Sequence, residues 1–360
     1  MVSLKTEMVD GGSSFAGKAS MLDVARFTGL SVSTISQAIN GMGRISKETR
    51  DRVLSACQTL HYRPHPTAQF LPKLRHRSKG RVLTGLYAFT PSLAENDDPS
   101  VYSLFMNGAV KVCYAQRKML VYQSHIEGHE ADHMLSSTFG MDGRLFVGRI
   151  GDEVVHLFES EHAPLVVLGD HRCERPVWNV NTDVAAAARM AVEMLWGLGH
   201  RRIQLVTAER EVWYELKFLR EFCGALEERG GDGSRGSLLA NCSIEQLRDR
   251  LTAADHPTAL VCVGEFQAQN AFRAMARAGL EAPRDLSVLM FGRPGVYVPR
   301  VSHVDPSYEN VGRAGMELMV RLAANPALET PTRTLVPPVF VDQGTCANFV
   351  PPRAGPEIYV

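Results

Sequence analysis

The sequence lacks any uninterrupted apolar run of about eighteen residues, so it offers no membrane-spanning helix. Its first twenty positions carry Glu7 and Asp10 and have no apolar stretch of the kind a secretory signal needs. No cysteine pair has the C-x-x-C spacing. The seven thiols, an odd number scattered from Cys57 to Cys346, argue against a disulfide framework and fit a reduced cytoplasm. A G-x-S-x-G nucleophile elbow is absent as well, and no cofactor or enzymatic activity is expected. Net charge is also missing: 39 Lys+Arg balance 39 Asp+Glu.

That zero hides a segregation. Residues 1–80 hold 12 basic and 5 acidic side chains, a net of +7, which leaves −7 on the remaining 280 residues. A basic head on an acidic body is the footprint of nucleic-acid contact. A chain of 360 residues is too long for one core and implies two or three domains. The pattern divides it into a Gly- and Ser-rich extension over 1–19, expected to be disordered, and a helical head over 20–63. A hinge and basic linker over 64–80, a body over 81–350 and a tail over 351–360 follow. In the linker Arg63, Lys73, Arg75, Arg77 and Lys79 meet no acid.

The head reads as three short helices. Ser20-Met-Leu-Asp23 has the form of a capping box, opening a helix whose apolar side is Leu22, Val24, Ala25 and Phe27. Gly29 stands where a tight turn needs positive φ, and Leu30 is expected to tuck inward. Ser31 caps a second helix over Val32–Ile39 with Ile35 and Ala38 inward, and Ser46 caps a third through Val53, Leu54 and Leu60. Two helices crossing closely about a turn leave Val32, Ser33 and Gln37 on the outer face, where a helix-turn-helix reads base edges. Gln37 suits an adenine edge and Val32 a thymine methyl, while Ser31, Thr34, Ser36 and Asn40 suit supporting and phosphate contacts.

From Arg81 onward, strand-like runs such as Leu165–Leu168 and Ala259–Val263 alternate with helical stretches such as Val101–Gln116, Leu216–Glu228 and Gln267–Ala278. Strand–helix alternation implies parallel sheets covered on both faces. Two decoys are set aside. Gly12-Ser-Ser-Phe-Ala-Gly-Lys18 resembles a phosphate loop, but Ala19 replaces its Ser/Thr and no strand precedes it. His125, His129 and His133, four apart, read as a solvated helix face rather than metal ligands, because Gly128 interrupts the segment.

The run Leu22-Asp-Val-Ala-Arg-Phe-Thr-Gly-Leu-Ser-Val-Ser-Thr-Ile-Ser-Gln-Ala-Ile-Asn40 resembles the opening of the LacI/GalR family of transcriptional regulators. Ile45-Ser-Lys-Glu-Thr-Arg-Asp-Arg-Val53 and Leu60-His-Tyr-Arg-Pro64 extend the likeness. The resemblance implies a helix-turn-helix head on a periplasmic-binding-protein-like body of two doubly wound parallel-sheet lobes. It implies a repressor acting on a near-palindromic operator as a homodimer joined through outer helices such as Val101–Gln116. No leucine heptad follows Asn348, which favours the dimer. Tyr62 joins the implied DNA contacts. So do Ala68, Gln69 and Leu71 of a hinge helix whose leucine wedges the minor groove. Pro72 directly after Leu71 departs from that pattern, and Gln37 stands where the family has Arg.

Met141-Asp-Gly-Arg-Leu145, Ala163 to Asp170, Val180-Asn-Thr-Asp183 and Leu198-Gly-His-Arg-Arg-Ile203 carry the resemblance through the body. Pro299–Val304 is expected at the crossover between lobes. In the cleft the pattern breaks. Phe218 stands at the family's sugar-binding Arg, Gly264-Glu265 at its Asn-Asp, and Met290-Phe-Gly-Arg293 at its Gly-Tyr-Asp-Asp. Asp183, Trp213, Phe218, Glu265 and Arg293 remain the candidate effector residues. An aromatic wall facing an arginine favours an anionic or partly apolar small molecule over a plain sugar. The competing reading is a regulator whose degenerate cleft binds no small molecule and responds to a protein or to nothing. A solute receptor or enzyme on the same lobes is disfavoured by the head and the missing catalytic groups.

Overall fold

The computed structural model describes residues 21–40, 45–60, 62, 85–93, 99–123, 125–126, 141–148, 150–152, 155–156, 164–171, 173–208, 213–231, 238–325 and 330–350. The head comprises α1 (Met21–Thr28), α2 (Val32–Asn40) and α3 (Lys47–Thr59) around Val24, Ile35, Ala38, Val53, Ala56 and Cys57. Gly29 turns α1 into α2 at φ +66°, a left-handed conformation that costs a glycine little. The end of α1 is tied to α3 by Arg52, whose Nη2 donates to the Thr28 carbonyl at 2.6 Å. Ser20 and residues 1–19 lie outside the described residues.

The apolar face expected of α1 is narrower than the sequence implied. Val24 is buried, but Leu22 and Phe27 are exposed, as is Leu54 on α3. A three-helix core this small covers only one stripe per helix, and these three lie off it.

The body consists of two lobes. The first has a seven-stranded sheet ordered β12-β6-β5-β4-β1-β2, with β3 also on β1; all its pairings are parallel. Its strands are β1 (Gly85–Leu93), β2 (Lys118–Tyr122), β3 (His125–Ile126), β4 (Gly143–Val147), β5 (Leu165–Leu168), β6 (Trp178–Thr182) and β12 (Arg333–Val336). Helix α4 (Pro99–Ala115) follows β1. The second lobe has six strands ordered β13-β11-β10-β9-β7-β8, parallel except where β13 meets β11. These are β7 (Ile203–Thr207), β8 (Leu238–Ala240), β9 (Ala259–Val263), β10 (Ser287–Phe291), β11 (Ser302–Asp305) and β13 (Val339–Val341). Its helices are α5 (Val184–Gly197), α6 (Trp213–Glu227), α7 (Ile244–Thr252) and α8 (Glu265–Ala278). Strands β7, β9 and β10 are buried throughout, as parallel strands sandwiched by helices must be.

The chain passes between lobes three times: after β6, after β11 into α9 (Tyr308–Ala324), which packs on the first sheet, and from β12 to β13. The second passage lies at Pro306-Ser307, so the expected crossover over Pro299–Val304 instead leads into β11 and supplies its first three residues. Ser307 sits at φ +59°, and the Thr182 hydroxyl donates to the Pro306 carbonyl at 2.6 Å, joining two of the passages. Helices α4 and α9 cross backbone to backbone. A Cβ on Gly108 would fall 1.9 Å from the Glu309 carbonyl oxygen, and one on Gly312 1.9 Å from that of Phe105. His125, read as part of a helix face, lies in β3 beside Ser92; His129 and His133 are outside the described residues.

Candidate nucleic-acid interface and interlobe cleft

The N-terminus of α2 is closed by Ser31, whose Oγ accepts the Thr34 amide at 3.1 Å and lies 2.8 Å from the Thr34 hydroxyl. Ser46 and Thr49 repeat the arrangement at α3, at 3.2 and 2.8 Å. Such caps satisfy the amides that a helix start leaves without partners. Directly behind the α2 cap, Val32, Ser33 and Gln37 are exposed, Ser36 is half-buried, and Ile35 and Ala38 are buried. No residue of α2 is charged, so its outer face offers a methyl surface, hydroxyls and one amide. Asn40 closes the helix, but its side chain is outside the described set. Tyr62 is half-buried against the head core with its amide on the Cys57 carbonyl, and burial pushes its hydroxyl pKa up. Ala68, Gln69 and Leu71 lie outside the described residues.

In the body, the carboxyl ends of the strands of both lobes carry the polar groups. Asp183 caps α5, accepting the Ala186 amide at 3.0 Å. Glu265 opens α8, but its Oε1 accepts three amides of the loop after β10: Gly295 at 3.0 Å, Tyr297 at 2.8 Å and Val298 at 2.9 Å. Its acid function is therefore spent on fixing that loop. Phe218 is 0% exposed and stacks on Phe291 at 4.4 Å and Phe222 at 6.4 Å. The aromatic cleft wall expected of Phe218 is thus corrected: on α6 it faces the second-lobe core, where an aromatic ring gains more from burial than from solvent. Arg293 is exposed, and it helps hold the Glu309 carboxyl below its usual range, after the larger effect of the Lys111 ion pair. Trp213 begins α6 and Tyr214 follows; their side chains are outside the described set.

The structure brings forward polar residues that the sequence reading did not single out. Asp170 follows β5 after Gly169, at φ +81°, and its Oδ1 accepts the Asn181 side-chain Nδ2 at 2.7 Å. Burial raises its pKa, opposed by that hydrogen bond and by Arg333 and Lys217. Tyr308, at the head of α9, lies against Phe105 at 4.8 Å, and burial followed by Asp170 raises its pKa. Burial lowers the His171 pKa. The signal available was an acid two residues past a strand end, after a glycine, within the Ala163–Asp170 stretch already used as a landmark.

Pattern matching alone would add His129-Glu130-Ala131-Asp132-His133, with H-E-x-x-H spacing, and Gly231-Asp-Gly-Ser-Arg-Gly236, with G-x-G-x-x-G spacing. The former lies outside the described residues. The latter follows helix α6 and precedes β8, the reverse of the strand-to-helix turn a dinucleotide loop requires. Among the described residues no group of His, Cys, Asp and Glu is arranged to hold a metal ion, and no helix is long and apolar enough to cross a membrane.

Comparison with known proteins matches residues 20–65 to the model of bacterial regulatory proteins of the lacI family. Residues 192–346 match a periplasmic-binding-protein-like domain. Catabolite control protein A of Staphylococcus epidermidis is 23% identical over 333 residues, 86% of this chain and 94% of that one. Its namesake in Staphylococcus xylosus is 25% identical over the same shares. Among solved structures, the regulator CelR in complex with cellobiose has a TM-score of 0.61 at 20% identity, covering 91% of this chain and 99% of that one. The lac repressor dimer bound to operator and the anti-inducer ONPF gives 0.58 at 20% identity, covering 92% and 100%.

Proposed function

This chain belongs to the LacI family of DNA-binding transcriptional regulators, and from that premise we propose that it is a cytoplasmic repressor that binds a near-palindromic operator as a homodimer. The observation that carries the reading is α2: capped at its start, charge-free, and exposing Val32, Ser33 and Gln37 together. Those three read bases, Ser31, Thr34, Ser36, Asn40 and Tyr62 support the phosphate grip, and Ala68, Gln69 and Leu71 act in the hinge. The dimer runs through α4, whose Val110 and Tyr114 are exposed on its outer side; the solved lac repressor on operator is likewise a dimer. The domain bounds are those of the sequence reading. Sequencing of genomic fragments retained by the full chain tests the assignment. Enrichment of one inverted-repeat motif is expected, and retention without sequence preference sinks it.

The interlobe cleft answers to a small molecule held by Asp183, Arg293 and the polar ends of the first lobe. Arg293, exposed just past the carboxyl end of β10, suits an anionic effector better than a neutral hexose. Thermal-shift measurement tests this: glucose, galactose and ribose leave the melting temperature unchanged, whereas an acidic or phosphorylated metabolite raises it. A second reading, a cleft that binds no small molecule, is favoured by the burial of Phe218 and the full commitment of Glu265 Oε1. A flat screen across a broad metabolite library decides for it.

A further inference from the structure

We propose that the loop over residues 293–300 and the adjoining face of α8 form a docking surface for an acidic, apolar-bearing segment of another protein. Val296 is 89% exposed, Tyr297 73% and Phe266 65%. Apolar side chains exposed to this degree, on one loop and on the helix start to which that loop is bonded, mark a contact surface. The three belong together because Glu265, next to Phe266, holds the amides of Gly295, Tyr297 and Val298 on one oxygen. A Cβ on Gly295 would press on the Glu265 carboxylate that holds the loop. The loop is thus fixed before any partner arrives, and a fixed loop loses little entropy on binding.

Charge selects the occupant. Arg293 and Arg300 bracket the loop, and Arg273 stands two turns along α8 from Phe266, on the same face; all three are exposed. Arg273 and Arg300 make no ion pair among the described residues. The one acid at the centre, Glu265, is already occupied by backbone amides. Tyr, Arg and a central apolar contact are the composition of binding hot spots. Nucleic acid is the wrong occupant, because the centre of the patch is apolar and offers a phosphate backbone nothing. A short peptide with a few carboxylates around an aliphatic or aromatic anchor satisfies both the arginines and the exposed Val296 and Tyr297. This surface is independent of the head, and it shares Arg293 with the proposed cleft.

The test uses the full chain and fluorescent dodecapeptide pools in which Asp and Glu alternate with Leu and Phe. The controls are a pool with the acids replaced by Lys and one with the apolar residues replaced by Ser. Saturable anisotropy is expected with the first pool only, weakening as salt rises. The double variant Val296→Ser/Tyr297→Ser and the double variant Arg273→Glu/Arg300→Glu should each weaken it at least tenfold while leaving operator binding and melting temperature unchanged. No saturation up to millimolar peptide, equal binding of the Ser pool, or indifference to both double variants overturns the proposal. A fall in particle mass on introducing Val296→Ser/Tyr297→Ser, measured without peptide, would assign the patch to a second copy of this chain and overturn it equally.

Discussion

In the head, the side chains that close α2 and α3 are small hydroxyls, and they leave the residues beside them exposed. In the second lobe, a long carboxylate takes over the backbone amides of an entire loop, and a phenylalanine at the family's sugar-binding arginine turns into the core. Both regions were rich in candidate site residues by sequence. The head leaves Val32, Ser33 and Gln37 exposed because a three-helix core has room only for Val24, Ile35, Ala38, Val53 and their neighbours. The second lobe absorbs two of its candidates: Phe218 because a sheet covered on both faces recruits large side chains to its core, and Glu265 because loop amides take its carboxylate. Exposure, more than residue type, separates a recognition residue from a scaffold residue.

Phe218→Ala would strike that contrast hardest. If Phe218 is scaffold, truncation removes its contacts with Phe222 and Phe291 and lowers body stability by about 3–5 kcal/mol, read by urea unfolding. Unchanged stability with altered ligand response would return Phe218 to the cleft. Gly312→Ala follows, at about 1–3 kcal/mol, because the added methyl meets the Phe105 carbonyl of α4. A wild-type melting temperature would show that α4 and α9 can separate. On the head, Gln37→Ala should leave unfolding untouched yet cost about 1–3 kcal/mol on the preferred operator, relaxing one base pair per half-site in a binding-site selection. Identical discrimination by parent and variant would remove Gln37 from the recognition set. Ser46→Ala, at about 1 kcal/mol of head stability, measures the cap by itself.

A smaller, pH-linked effect separates the regions again. His200 is buried between Thr258 at 3.0 Å, Ser287 at 2.9 Å and the Ala347 carbonyl at 3.1 Å, tying the C-terminal strap to the second lobe. Burial lowers its pKa below the ordinary value of 6.5. The unfolded chain therefore takes up the proton first. Body stability is full above about pH 6.5 and declines as pH falls from there through the lowered folded value. Unfolding curves over pH 5–8 should show that slope in the body and reduce it in His200→Gln, the remainder belonging to His171, whose pKa burial also lowers. A slope unaltered by that substitution assigns the titration elsewhere.

The alternation of buried strands and amphipathic helices was legible where the pattern is strong: β5, β9 and α4 lie within a residue or two of their expected spans. It was weak at β6, Trp178-Asn-Val-Asn-Thr182, which reads as polar. Asn179 there spends its amide on the carbonyls of Val167 and Gly169, stitching the turn that carries Asp170. Strands β12 and β13 were also illegible, since their neighbours in the sheets come from far earlier in the chain.

The sequence by itself determined the basic head, the capped and charge-free α2, the positive-φ turn at Gly29 and the strand–helix alternation of the body. Each depends on residues close in the chain, where propensity and capping act locally. Only the tertiary structure decided which side chains remain available. Phe218 was withdrawn by Phe291, a strand away, and Glu265 by amides some thirty residues on, at 30 to 33 positions' separation. Asp170 and Lys217 were brought to bear on each other from different lobes. Burial and long-range hydrogen bonding depend on which elements meet, and that is set by packing of the whole chain rather than by any window of it.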